Sequence, residues 1–369
     1  MSISSAFATK QHKNTAISLD YGPVASGKRI NPISLPDEVF SHALSFLDHK
    51  NLALIESVCR SWNQFIDKTE QWKKRCRVLL NSGTFDPGTD LPACKSYKEG
   101  LRIVLSRVYD AAKYRYYLGA EIDPVPRAPE TLSLKRFNEP DPCDPTQRIG
   151  HKYVWIDSPS YFNIPVDGDF PFELDKPDNP NDEEAPRLIQ KKVGLVEQFK
   201  RKTELGSEPK KEVLKVPNTI NNLPVLFERP KNGHPSEYEH IGPPISSQHG
   251  NKRIPAGRIC MRENVIGMHL TFAQQQEAAR QARLVIPQLG HRILFDLLRH
   301  AETDIYPDGQ NPWTYARTST LTVDSQGTPW PSDCGGGGPS GLNVRNGSIA
   351  RVNVGAAVAL PAEVQAIDP

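Results

Sequence analysis

Cys334 stands before Gly335-Gly-Gly-Gly338-Pro-Ser-Gly341, which sets a thiol beside a run of backbone amides. A thiolate nucleophile with amides to hold an oxyanion, and His291 or His300 as base, is one chemistry such residues can perform. No helix or nucleophile elbow surrounds the cysteine, however, and a glycine run between apolar segments reads as a flexible connector. Cys59 lies next to Arg60 in Glu56-Ser-Val-Cys-Arg-Ser-Trp-Asn-Gln-Phe65, but it shares an apolar stripe with Leu52, Ile55 and Trp62. A thiol buried there loses reactivity, and the adjacent arginine points about 100° away round the helix.

Other chemistry-bearing spacings also fail on context. Gly22-Pro-Val-Ala-Ser-Gly27-Lys28-Arg29 imitates a phosphate-binding loop, yet Arg29 stands where a hydroxyl must hold magnesium, and Pro32 disfavours helix at Asn31. The acidic stretch from Asp167 to Glu184 lacks the ligand alternation of a calcium loop and is broken by Pro171, Pro177 and Pro180. Arg102, Arg107, Lys113 and Arg115, interleaved with Tyr109, Tyr114, Tyr116 and Tyr117, have the makings of a base-stacking surface. No wider basic patch accompanies them, so they are read as a solvated face at a domain junction. The six cysteines form no Cys-x-x-Cys pair and meet no paired histidines. The expectation is therefore no catalytic residue, no metal and no cofactor in this chain.

The bulk properties agree with an interaction protein. Forty-five basic residues oppose 43 acidic ones for a net charge of +2, so no global field draws the chain to nucleic acid or to a membrane surface. No apolar run reaches the roughly eighteen residues of a spanning helix. The first thirty or so residues lack the apolar stretch of a secretory signal. Length suggests two or three units, and the 33 prolines imply long linkers.

Residues 1–31 read as a disordered polar tail and 32–80 as a compact helical unit. Ser34 and Asp37 form a capping box with Pro36 at the first helical position, and Leu35, Val39, Phe40, Ala43, Leu44 and Leu47 follow at helical spacing. Asn51 caps a second stripe of Leu52, Ile55, Val58, Cys59 and Trp62, with Phe65, Ile66 and Trp72 adding to the core. Ser96 and Glu99 open a helix carrying Leu101, Val104, Leu105, Val108 and Ala112, so residues 81–120 read as a helical extension. Six prolines mark 121–149 as a proline-rich linker. Residues 150–369 read as an α+β domain. Tyr153–Ile156 is a strand, Thr271 with Gln274 starts a helix, and Leu289, Ile293, Leu294, Leu297 and Leu298 form a buried stripe. Strands are expected at 318–323, 342–345 and 348–354, the last two joined in a hairpin at Asn346-Gly347.

Leu35-Pro36-Asp37-Glu38-Val39, Leu44-Ser-Phe46-Leu47, Leu52, Val58-Cys59-Arg60-Ser61-Trp62 and Trp72 resemble the F-box motif in order and spacing over residues 33–76. The resemblance implies a module that docks on the adaptor of an SCF-type cullin ubiquitin ligase, while the rest of the chain presents a protein substrate. Carried over residue by residue, it places Leu35, Pro36, Val39, Leu44, Leu47, Leu52, Ile55, Val58 and Trp62 on the adaptor-binding face. It places Phe46, Cys59, Phe65 and Trp72 in the module's own core. No tandem repeat follows, so the substrate remains unnamed by the residues.

The ending, with Asp308-Gly-Gln-Asn-Pro312, the Cys334 glycine run and Val354-Gly-Ala-Ala-Val-Ala-Leu-Pro361, is similar to the carboxyl half of F-box-bearing proteins of environmental chlamydiae. That likeness implies a bacterial effector acting in host cytosol; otherwise the chain is expected in the cytoplasm or nucleus of a eukaryotic cell. Two rival readings accompany the ligase one. They are an adaptor-binding scaffold without degradation, and an enzyme in the C-terminal domain anchored by the F-box.

Overall fold

The computed structural model of the 369-residue chain describes residues 41–42, 44, 47, 49–58, 60–68, 70–79, 96–126, 134–166, 172–175, 185–190, 212–228, 238–308, 314–338, 341–347 and 353–361. Two compact units divide it, Met1–Gln71 and Trp72–Pro369.

In the first unit Ser41, His42 and Leu44 are helical, followed by α1 (His49–Val58) and α2 (Arg60–Lys68). Leu44, Leu52 and Ile66 are buried, so the spacing expected to build one small core does so at these positions. The Gln71 amide closes the unit by donating to the Ser41 carbonyl at 3.3 Å and hydroxyl at 2.9 Å. Gln71 also begins α3 (Gln71–Leu79), so the division falls inside a helix and not at residue 80.

The second unit starts far upstream of residue 150. After α3 comes α4 (Tyr97–Ser106), whose Ser96 hydroxyl accepts the Glu99 N–H as expected. That helix stops at Arg107. Val108 was expected on its apolar stripe but enters β1 (Val108–Tyr109), and Asp110 caps a separate α5 (Ala111–Leu118) that ends on left-handed Gly119.

The described parts of the expected linker at 121–149 are likewise folded. It contributes β2 (Glu121–Ile122), α6 (Leu134–Asn138), β3 (Pro140–Asp141) and β4 (Asp144–Arg148), with Phe137 and Asp141 fully buried. Pro140 and Pro145 sit in a two-stranded ribbon, where an edge strand has no partner for the missing N–H, and Pro142 lies in its turn.

A single turn, α7 (Ile149–Lys152), leads into β5 (Tyr153–Ser158), all six of whose residues are buried. The chain continues through β6 (Tyr161–Val166), β7 (Phe172–Leu174), β8 (Leu188–Gln190), β9 (Glu212–Pro217), α8 (Leu223–Phe227), β10 (Tyr238–Ile241), α9 (Pro243–His249) and β11 (Gly257–Arg262). Then come α10 (Phe272–Gln281), α11 (Leu289–Thr303), β12 (Tyr315–Val323), β13 (Pro329–Gly338), β14 (Gly341–Asn346) and β15 (Val354–Ala356). The larger sheets run β10-β14-β13-β12-β15, β1-β5-β11 and β2-β6-β9, with two-stranded β3-β4 and β7-β8 beside them.

Helix α11 lies at the centre of this unit. All five residues of its expected stripe are buried, and so are Arg292, Phe295, Asp296 and Ala301. A helix buried on nearly every face belongs to the middle of a large core. Helix α10 starts with the expected capping box of Thr271 and Gln274.

Strands lie at 318–323 and 342–345 as expected, inside β12 and β14, whereas most of the strand expected at 348–354 lies outside the described residues. β14 is flanked on both sides, antiparallel to β13 and parallel to β10, so no edge remains for a hairpin partner after Gly347. β15 instead runs parallel to β12. The glycines after Cys334 are not a connector but the end of β13. At Gly335, φ is +143° and an added Cβ would strike the Thr314 carbonyl, so only glycine lets β12 approach there. The tail at 1–31, the capping box at Ser34, most of the acidic stretch from 167 to 184 and the basic run from 191 to 211 lie outside the described residues.

Candidate functional site

The catalytic alternative can be tested at Cys334. Its thiol is fully buried on β13 and donates to Asp296 Oδ2 at 3.5 Å. Asp296 belongs to an ionic cluster inside the core: Arg292 Nη2 lies 3.1 Å from Asp296 Oδ1 and 2.7 Å from Asp308 Oδ2. Burial pushes the thiol well above its ordinary range and the Asp296 carboxylate adds to that, so the reactive thiolate is suppressed.

Neither candidate base is placed to help. His291 Nε2 lies 2.9 Å from the Pro255 carbonyl, and the His300 ring stacks on Tyr306 with centroids 4.1 Å apart. One guanidinium serving two buried carboxylates does make electrostatic sense. Burial works against the Arg292 charge, but Asp296 and Asp308 outweigh it and push its pKa up. At Asp296 burial outweighs the arginine, with Asp308 adding like charge, and the carboxyl rises to about 7. The arrangement has the chemistry of a structural clamp joining α11 to the segment at Asp308. Among the described residues no group of three His, Cys, Asp or Glu is placed to hold a metal ion.

The basic and aromatic helix region resolves the same way. Tyr109, Tyr114 and Tyr117 are buried, and the Tyr114 hydroxyl donates to the Asp157 carbonyl at 2.8 Å. Lys113 and Arg299 share Glu302, which also accepts from the Tyr109 hydroxyl. Tyr109, Tyr114 and Tyr117 are thus core and not the solvated face expected, while Tyr116 stays 40% exposed.

What remains is the helical module of the first unit. Leu44 and Leu52 are buried, while Leu47, Ile55 and Phe65 are half-buried. Leu54 is 64% exposed on α1, a large apolar side chain facing water. Spacing overlooked it because it stands two residues from Leu52, on another face of the helix. An amphipathic helix pair with a small core and apolar surface left over is suited to docking on a partner.

Comparison with known families decides the matter: residues 33–78 match the model of the F-box-like family. The chain carries an F-box-like domain. No curated protein and no solved structure matches the chain.

Within the F-box-like domain, Leu35, Pro36, Val39, Phe46 and Cys59 lie outside the described residues. Val58 and Trp62 fall in α1 and α2, but their side chains are outside the description as well. Trp72 is buried, as a core assignment requires, yet the Lys98 ammonium of α4 lies 5.6 Å over its ring, which sets it within the second unit. F-box domains mediate protein–protein contacts and generally bind the SCF adaptor, through it meeting a cullin. The second unit is a larger α+β body attached to that interaction module.

Proposed function

We propose that this chain is a substrate receptor of an SCF-type ubiquitin ligase. The F-box-like domain docks on the adaptor, and the α+β unit holds a protein to be modified. The match of residues 33–78 to the F-box-like family carries this reading. It is supported by the burial of Leu44 and Leu52, which gives the short module a core of its own, and by the exposed Leu54.

Catalysis in this reading belongs to the ligase and its charged conjugating enzyme, and this chain contributes proximity. Holding an acceptor lysine beside the reactive thioester converts a bimolecular encounter into an effectively intramolecular one. The buried Cys334 thiol supports a non-catalytic role for the second unit. The working place is the eukaryotic cytoplasm or nucleus. In the fuller reading, a bacterial effector borrows its host's ligase there, which rests on the similarity of the C-terminal segments to chlamydial F-box-bearing proteins. Among the described residues no helix is long and apolar enough to cross a membrane.

Co-purification of the full chain with the adaptor tests the docking step. Leu35→Ala/Pro36→Ala should abolish capture while leaving the circular dichroism spectrum unchanged. Capture that survives the double change sinks the assignment. Capture of the adaptor without ubiquitin transfer to any bound protein would favour the scaffold reading.

A further inference from the structure

A pocket of about 400 Å³ opens on the second unit where four segments meet. They are the loop from α9 to β11, the turn after β9, the first turn of α11, and the middle of β12. Its frame is tied at several points. His249 Nε2 lies 2.9 Å from the Leu321 carbonyl, and His291 Nε2 lies 2.9 Å from the Pro255 carbonyl. The Thr320 hydroxyl accepts the Leu289 N–H at 2.9 Å, and the Ser319 N–H donates to the Pro287 carbonyl at 2.9 Å. Gly290 packs so closely on Ile254 that an added Cβ would lie 2.5 Å from it. A pocket held this way is formed before any ligand arrives, so binding spends little on ordering.

The lining is chemically one-sided. Lys252 and Arg253 are exposed at it, and among the described residues no carboxylate lines it. Among the described residues neither cation makes an ion pair; Arg253 has only the face of Tyr161, at 4.9 Å. Gln288 and Ser319 add neutral donors. Both framework histidines are kept neutral at pH 7, since burial lowers their pKa and outweighs the carbonyl each one meets. Positive charge at the pocket therefore comes from Lys252 and Arg253 alone. The remaining wall is apolar, from Ile220, Ile254, Pro255 and Leu321. Two free cations with neutral donors suit an oxyanion, and the apolar wall suits a small organic body carrying it.

We propose that this pocket binds a phosphoryl group, with Lys252 and Arg253 as its charge partners and Ser319 and Gln288 as neutral donors. The proposal stands independently of adaptor docking, because Leu35→Ala/Pro36→Ala leaves the second unit untouched.

Titration calorimetry of the full chain, with O-phosphoserine and with inorganic phosphate as probes and serine as the uncharged control, tests it. Saturable binding of either phosphate compound, without binding of serine, is expected. Tighter binding of phosphoserine would show that the apolar wall is used, and equal binding would identify the free anion as the ligand. Lys252→Glu/Arg253→Glu should weaken binding at least about tenfold, since each lost charge-assisted hydrogen bond costs that much or more. Both side chains are exposed, so the fold should survive, and Ser319→Trp offers a second block by filling the pocket without changing its charge. Absence of saturable binding overturns the proposal, as does binding that both variants leave unchanged.

Discussion

Replacing Arg292 by methionine removes the only cation that faces Asp296 and Asp308 from within hydrogen-bonding distance in the described core, and its cost can be worked through. Methionine fills most of the stem volume and keeps contact with Phe295, over which the guanidinium now lies at 4.6 Å, so the packing loss is small. The electrostatic loss is not small, because two carboxylates that are 1% and 3% exposed are left without a counter-charge. Breaking a buried pair from one side costs about 3–5 kcal/mol, against roughly 5–15 kcal/mol that holds a typical domain together. The protein should stay folded with a strongly reduced unfolding midpoint.

The sign of the pH dependence follows from the carboxyls. Burial raises Asp296 to about 7 and also raises Asp308, both with Arg292 opposing. These folded values lie above the unfolded carboxyl value of about 3.9, so between them the folded state holds the extra protons. Stability from these groups is therefore complete below the unfolded value and is lost as pH rises through the folded ones. Without Arg292 to oppose burial, both folded values climb further. The deficit of the variant should be largest near pH 8 and should shrink near about pH 5, below the value of about 7 at which Asp296 takes up its proton. Urea unfolding followed by the fluorescence of Trp155, buried against Phe137, measures it at both pH values. A deficit below about 1 kcal/mol, or an equal deficit at both pH values, would refute the clamp.

The remaining expectations concern local packing and the thiols. Gly290→Ala should destabilise by about 1–3 kcal/mol through overlap with Ile254, and Gly290→Ala/Ile254→Ala should recover part of it in the same urea assay. Asp141→Asn should cost about 1–3 kcal/mol, because it uncouples Arg262 at 3.1 Å and weakens the Tyr153 hydroxyl bond; thermal melts will show whether it does. Thr271→Ala removes the cap of α10 and should cost about 1 kcal/mol, with no loss of adaptor capture. Native alkylation followed by peptide mass mapping should leave Cys334 and Cys260 unmodified while half-exposed Cys143 reacts slowly. Rapid labelling of Cys334 in the folded protein would revive the enzyme reading.

How much of this was readable in advance depended on whether the signal was local. The N-cap at Ser96, the capping box at Thr271 and the apolar stripe of α11 are each written within a few residues, and each was found where the spacing put it. The F-box-like domain belongs to the same class, since its motif is a short run of helical spacing. The proline-rich stretch misled because proline density signals a lack of regular structure only on average. Pro140 and Pro145 occupy a two-stranded ribbon that Asp141 pins to Arg262, 121 residues away in the chain. The hairpin at Asn346-Gly347 failed for a similar reason. Turn propensity there met a strand already flanked on both sides by β13 and β10, and pairing across such distances leaves no trace in a ten-residue window.

Division of the chain inside α3 bears on how the two functions connect. Gln71 closes the first unit through Ser41, while the next residue, Trp72, lies under Lys98 of the second. A single helix thus carries the last anchor of one unit and the first of the other. Inserting two glycines after Trp72 should interrupt α3 and lower the unfolding midpoint, since each glycine inside a helix costs about 1 kcal/mol. An unfolding midpoint that the insertion leaves unchanged would show that neither anchor depends on the continuity of α3.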